Sequence, residues 1–192
     1  MPQSPIILAS QSPRRKMLLE WAEISFEVIV QATDESFPAN MAIEEVPVHI
    51  ARNKAKVIRE QLSAEDQRWI LAADTIVVLN DEVIGKPVDR EDAIQILQRL
   101  SGQTHRVITG VVVMNGVEEH AFSDITEVVF HPLTAEQIHF YVDKYQPYDK
   151  AGAYAIQEWI GVVGIHSIQG DFYNVMGLPV SRVVQLLERI QA

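Results

Sequence analysis

Three cations open a helix in "SQSPRRKMLLE", residues 10 to 20. Ser10 or Ser12 stands in the capping position and Pro13 at the first helical position, with Leu18, Trp21 and Ala22 following at helical spacing, so a helix is predicted over residues 13 to 22. Arg14, Arg15 and Lys16 crowd its first turn. That end carries the positive pole of the helix dipole, which favours carboxylates and is penalised by cations. A strand that runs into a tight Ser/Pro turn and then a helix also leaves backbone N–H groups at the helix end, a ready anion site that added cations strengthen once an anion arrives. The chemistry implied by Ser10, Arg14 and Arg15 is therefore anion binding. The plainer alternative is a solvated basic helix start paired with surface carboxylates. Under the anion reading, removal of Arg14 or Arg15 weakens anion binding and leaves the empty protein no less stable.

A second anomaly is Asp74, which interrupts the apolar run "WILAADTIVVL". A carboxylate in such a strand requires a partner. It is either a metal ligand or base, or a strand-end residue capping a turn with Thr75. Asp34 and Glu35 lie in a polar loop, "QATDESFPAN", where ligand-contacting residues concentrate. Alone they are solvated loop acids; with Asp74 they make the all-oxygen set preferred by Mg²⁺ or Mn²⁺, cations commonly shared with substrate phosphates. Lys54 in "IARNKAKVI" and Lys86 in "IGKPVD" read as surface lysines or phosphate ligands. In "YDKAGAYAIQ", residues 148 to 157, small residues permit close backbone approach and Gln157 offers an amide able to read a base edge; the alternative is a tight strand entry with core tyrosines.

The elements that must carry these residues alternate between strand-like and helix-like segments, which predicts a mixed α/β (α+β) fold. "PIILAS", "FEVIV", "WILAAD" with "TIVVL", and "EVIG" read as strands. A long helix is predicted from about Glu44 to Leu62. Ala93, Ile96, Leu97 and Leu100 fall on one face of another helix, closed by Gly102. Asn115 and Gly116 predict a hairpin joining two long antiparallel strands within residues 105 to 130. "TAEQIHFYVD" is a capped helix, "IGVVGIHSIQG" a strand, and "PVSRVVQLLERIQ" a closing helix with Pro179 at its start. No repeat or linker composition interrupts the chain, so residues 1–192 are expected to form a single domain.

Charge and composition narrow the function. With 26 acidic against 16 basic residues the net charge is −10, which disfavours nucleic acid and anionic membranes as partners and makes a local basic knot a site for a small anion. Only 7% of residues are aromatic, a poor basis for a single-strand nucleic-acid groove. The absence of cysteine excludes a thiol nucleophile and thiolate metal sites and fits a reducing compartment. No signal peptide or transmembrane run is evident, and the expected location is cytoplasmic. The phosphate-loop, dinucleotide, nucleophile-elbow and zinc-protease signatures are missing, and the six histidines show no ligand spacing. The chemistry must rest on acids, cations and amides.

"LASQSPRR", "AADTIVV", "GKP", "LSGQTHRVITGV", "YDKAGAYAIQ" and "YNVMGLPV" resemble, in this order and at these spacings, the Maf proteins, nucleoside triphosphate pyrophosphatases also called septum formation inhibitor homologues. The resemblance covers nearly the whole chain. It implies a Maf/inosine triphosphatase-like fold with a twisted mixed sheet, flanking helices and two lobes enclosing a nucleotide cleft. It also implies hydrolysis of a nucleoside triphosphate between the α and β phosphorus, with a divalent metal cation, Mg or Mn, as cofactor. By that resemblance Asp74 matches the family's proton acceptor, while Arg14, Thr75 and Gln157 match positions tied to substrate choice. Ser10, Arg14, Arg15, Lys54 and Lys86 match the phosphate-binding set, and Glu35 joins Asp74 as a metal-associated acid. "AGAYAIQ" is similar to the subgroup acting on dTTP and UTP, although Ala155 and Glu158 stand where glycine is common there.

The resemblance therefore implies a cytoplasmic house-cleaning hydrolase of nucleotide metabolism, with a nucleoside triphosphate as substrate, no nucleic acid or membrane partner, and a homodimer as one assembly open to it. The competing reading is a non-catalytic nucleotide sensor acting in cell division control, which would leave the triphosphate intact.

Overall fold

The computed structural model describes residues 5–191; residues 1–4 and 192, the extremes of the expected 1–192 domain, lie outside the described residues. Strand and helix segments run in the order β1 (Ile6–Leu8), α1 (Pro13–Trp21), β2 (Phe26–Val28), α2 (Val46–Gln61), β3 (Ile70–Leu79) and β4 (Glu82–Ile84). They continue with α3 (Arg90–Leu100), β5 (Thr104–Met114), β6 (Glu119–Phe130), α4 (Ala135–Tyr145), α5 (Trp159–Gly164), β7 (Ile165–Gln169), α6 (Phe172–Met176) and α7 (Val180–Ile190). The strands hydrogen-bond in the order β2-β1-β3-β5-β6-β7, with β4 also on β3. β1 is parallel to β2 and β3, whereas β3–β4 and β6–β7 are antiparallel, which makes the sheet mixed.

The chain divides into two compact units. Unit 1 holds residues 1–74, 109–124 and 177–192, and unit 2 holds residues 75–108 and 125–176. In unit 1 the apolar face of α2, Ala51, Ala55 and Ile58, packs with Ile7 and Ala9, Ile70 and Ala72, and Val112 and Met114. The contact is close because residue 110 is glycine: a Cβ there would stand 2.2 Å from the Pro47 carbonyl carbon and the Val48 nitrogen. This fixes the start of α2, and with it the height at which Lys54 projects.

Unit 2 packs α3 against α4. Both helices are capped as their sequences require. The Asp89 side chain accepts from the Asp92 N–H, while Thr134 and Gln137 form a reciprocal capping box. Among the described residues no helix is long and apolar enough to cross a membrane.

Three expectations change. "IGVVGIHSIQG" is not one strand: Trp159–Gly164 is helical and only Ile165–Gln169 pairs with β6. The reason is Gly161, where a Cβ would lie 1.7 Å from the Ile156 carbonyl oxygen, so the chain folds back onto the preceding segment there. Asp74 does not cap a strand end, because β3 runs unbroken from Ile70 to Leu79 and Asp74 and Thr75 are its two half-buried middle positions. Ser12 occupies the N-cap position of α1 without a capping bond; instead its N–H donates to Ser10 Oγ at 3.2 Å.

Candidate active site

The basic helix start resolves into two different arginines. Arg15 is buried, with Nε donating to the Gly177 carbonyl at 2.7 Å and Nη1 to Ser10 Oγ at 3.1 Å. Burial lowers its pKa; the Asp74 and Glu35 carboxylates oppose that effect and Arg14 adds to it. Arg15 is thus a structural tie that also brings positive charge to the acids. This corrects one expectation, since removing it breaks a buried hydrogen bond to the Gly177 carbonyl and must cost stability. Arg14, on the same turn, is only half-buried.

Lys54 is the centre of the unit 1 cluster. Its ammonium stands 2.7 Å from Glu35 Oε1 and 2.8 Å from Asp74 Oδ1. The side chains of Lys54 and Asp74 are 18% and 16% exposed, and that of Glu35 is 54% exposed, so the pair is partly screened from water and the loop acid is not. The partner demanded by Asp74 in an apolar strand is therefore a lysine from α2. The local sequence leaves Lys54 open as a surface lysine or a phosphate ligand, yet a sharper signal is present. Ile50, Ala51, Ala55 and Ile58 form the buried stripe of α2, and Lys54 lies on that stripe, four residues from each isoleucine.

Glu35 and Asp74 converge on one cation, so their oxygens lie no further apart than the two bonds laid end to end. In this structure the group between the two carboxylates is the Lys54 ammonium. Asp34 does not join them: it accepts from the Ser36 N–H and hydroxyl, and these bonds hold its carboxyl below the usual range. Among the described residues no group of three or more His, Asp or Glu forms a ready metal cage.

Thr75, Lys86 and Gln157 belong to unit 2. Lys86 and Gln157 are exposed, and Thr75 is half-buried. The Gly152 N–H donates to the Gly85 carbonyl at 3.0 Å, which joins the loop bearing Lys86 to the segment leading to Gln157. That segment opens with a short 3-10 turn, Ala151–Ala153, rather than a strand. Below it Tyr154 is buried against His105, Nε2 to hydroxyl 2.7 Å, with both rings edge-on to Phe130. Burial lowers the His105 pKa to about 4 and raises that of Tyr154. His105 was not singled out from the sequence, although its position two residues before Val107 on β5 puts it on the inward face. Gln157 lines a recess of about 520 Å³ together with Ile156, Gly161, Val162, Ile165 and Phe172.

A mixed α/β chain with carboxylates, lysine and arginine gathered beside a Ser/Pro turn has the equipment of a phosphate-handling protein, and the chain belongs to the Maf family, whose model, Maf-like protein, matches residues 5–190. It is 48% identical to a dTTP/UTP pyrophosphatase of Cytophaga hutchinsonii over 96% of this chain and 84% of that protein. It is 47% identical to a dTTP/UTP pyrophosphatase of Porphyromonas gingivalis over 91% of this chain and 88% of that one. A solved nucleoside-triphosphatase, dITP/XTP pyrophosphatase, of Mycobacterium abscessus aligns over 98% of this chain and 99% of its own at 10% identity, with a TM-score of 0.46.

Proposed function

We infer that the protein is a nucleoside triphosphate pyrophosphatase that hydrolyses dTTP and UTP to the monophosphate and pyrophosphate. The observation that carries this reading is the Lys54 ammonium shared between Asp74 and Glu35, in the unit that also holds Ser10, Arg14 and Arg15. The names of the relatives support the choice of substrate. In this reading residues 1–192 work as one catalytic domain in the cytoplasm, with neither nucleic acid nor membrane as partner, and a homodimer is compatible with it.

A triphosphate carries about four negative charges, so water can approach phosphorus only where cations neutralise the oxygens and hold the reacting atoms in line. Arg14, Lys54 and Lys86 bind the phosphates, and Ser10 offers a hydroxyl whose orientation Arg15 fixes. Asp74 accepts the proton of the attacking water as the bridging oxygen between the α and β phosphorus departs with pyrophosphate. Asp74 and Glu35 would hold Mg²⁺ or Mn²⁺, which when bound supplies further charge neutralisation for the triphosphate. Lys54 serves twice, balancing the two acids in the empty protein and turning toward phosphate when substrate binds.

Thr75 and Gln157 act in substrate choice. A glutamine amide presents one acceptor and one donor side by side, which pairs with N3–H and O4 of uracil or thymine, whereas cytosine reverses the pattern. The test is pyrophosphate release from dTTP, UTP, CTP, ATP and GTP with magnesium. Expected is a preference of about 10- to 100-fold for dTTP and UTP over the others, the range that base discrimination allows. Gln157→Ala should flatten it. Intact dTTP after incubation would show a sensor instead of an enzyme, and a purine at the head of the ranking would overturn the pyrimidine assignment.

A further inference from the structure

An amide discriminates thymine from cytosine only if it is presented at a fixed place and angle, and both begin with the backbone that carries Gln157. Its backbone sits in a four-residue turn, residues 155 to 158, closed by the Glu158 N–H donating to the Ala155 carbonyl at 3.1 Å. Both ends of this turn meet one group. The Tyr141 hydroxyl accepts from the Ala155 N–H at 3.1 Å and donates to the Glu158 carboxylate. A single hydroxyl thus uses donor and acceptor capacity together to clamp the residues that flank Ile156 and Gln157.

The clamp is built on a rigid support. Tyr141 is fully buried on α4, the helix with the capping box, and stacks on Tyr145 with ring centroids 4.9 Å apart. Glu158, whose side chain is 23% exposed, is also faced by Lys150, with Nζ 3.7 Å from Oε1; Lys150 itself is buried and paired with Asp149 at 2.7 Å. A carboxylate that accepts from a hydroxyl polarises it and makes it a better acceptor for the amide on its other side. Neither Tyr141 nor Glu158 has a part in the phosphate chemistry described above.

We propose that Tyr141 and Glu158 are positioning residues that fix the turn carrying Gln157 and so set how sharply uracil and thymine are separated from cytosine. The proposal rests on the pyrimidine triphosphate reading and deepens it. Tyr141→Phe keeps the ring and removes both hydrogen bonds; Glu158→Ala removes the carboxylate; Glu158→Gln keeps an acceptor for the hydroxyl.

The measurement is kcat and KM for dTTP and CTP in the parent and the three variants, with thermal midpoints alongside. Expected is a fall of about 3- to 10-fold in the dTTP:CTP ratio of kcat/KM for Tyr141→Phe and Glu158→Ala, the size of one or two lost hydrogen bonds. The loss should enter through KM for dTTP, with kcat within about twofold, and Glu158→Gln should restore most of the ratio. If Tyr141→Phe does not fold, Glu158→Ala against Glu158→Gln carries the test. A clear dTTP preference in the parent that persists in Glu158→Ala, even with a lowered thermal midpoint, overturns the proposal and leaves the pyrimidine reading standing. A parent that does not prefer dTTP to CTP overturns both.

Discussion

The acidic and basic cluster of unit 1 and the Gln157 segment of unit 2 are built on opposite principles. Around Lys54 the groups are charged, partly hydrated and satisfied by one another, so in the proposed reading the ammonium can exchange a carboxylate for a substrate oxygen. Around Gln157 the deepest supporting groups are aromatic: Tyr141 and Tyr154 are buried, Glu158 is half-buried and Gln157 itself is exposed. In the proposed reading the difference follows from what each ligand part demands. Phosphates are strongly charged and are met by long side chains that move, whereas a base edge differs from its competitor by the placement of one proton and needs a reader that does not.

The strongest way to break this contrast is Asp74→Asn, which keeps the shape of the cluster and removes the charge and basicity. Turnover should fall by at least ~10²-fold, the scale of a lost acid–base group, while circular dichroism stays unchanged. Near-normal turnover would falsify the assignment of Asp74.

Next in size is the split between neighbouring arginines. Arg14→Ala should weaken triphosphate binding by roughly 1.5–3 kcal/mol, the worth of a charged hydrogen bond, without lowering the thermal midpoint. Arg15→Ala should lower the midpoint by several degrees, because the Gly177 carbonyl and the Ser10 hydroxyl each lose a hydrogen bond from a buried donor. Titration calorimetry and thermal melts on both variants decide it; identical behaviour would show that burial does not separate the two.

The smallest effect concerns the aromatic support in unit 2. The His105 pKa is lowered in the folded state to about 4 from the ordinary 6.5, so the unfolded chain binds the extra proton first. The stability this contributes is complete above pH 6.5 and is lost as pH falls toward 4. Between pH 6.5 and 5, before most carboxylates titrate, the loss should be about 1.5 kcal/mol. Urea midpoints across that window should slope in the parent and flatten in His105→Gln. An equal slope in both would show that other groups set the acid response.

Periodicity made most elements legible in the sequence. The stripe of α3, the Thr134 capping residue of α4 and the turn at Asn115, whose Oδ1 accepts from the Val117 and Glu118 N–H groups, all appear where their residue types require. The short helix α5 was hidden because "IGVVG" has no helical stripe, and the close approach of the Gly161 backbone to the Ile156 carbonyl, five residues back, decides it. In the site, Asp74 announced itself by interrupting an apolar run. Lys54 and Arg15 were harder to interpret because a cation's role depends on the partner the fold supplies. The Tyr141 clamp spans residues 141 to 158, and no local pattern marks it.

The bond between Arg15 and the Gly177 carbonyl joins residues 162 positions apart. Unit 1 draws on both extremes of the chain, and α7 seals it with Val183, Leu186 and Leu187. During synthesis from the N-terminus every segment of unit 2 emerges while the final part of unit 1 is still to be made. Ser10 and Arg15 can meet early, but the Nε of Arg15 waits 162 residues for its carbonyl. The anchoring of Arg15 is therefore coupled to synthesis of the segment around Gly177, and a chain stopped short of Gly177 lacks the carbonyl that ties Arg15.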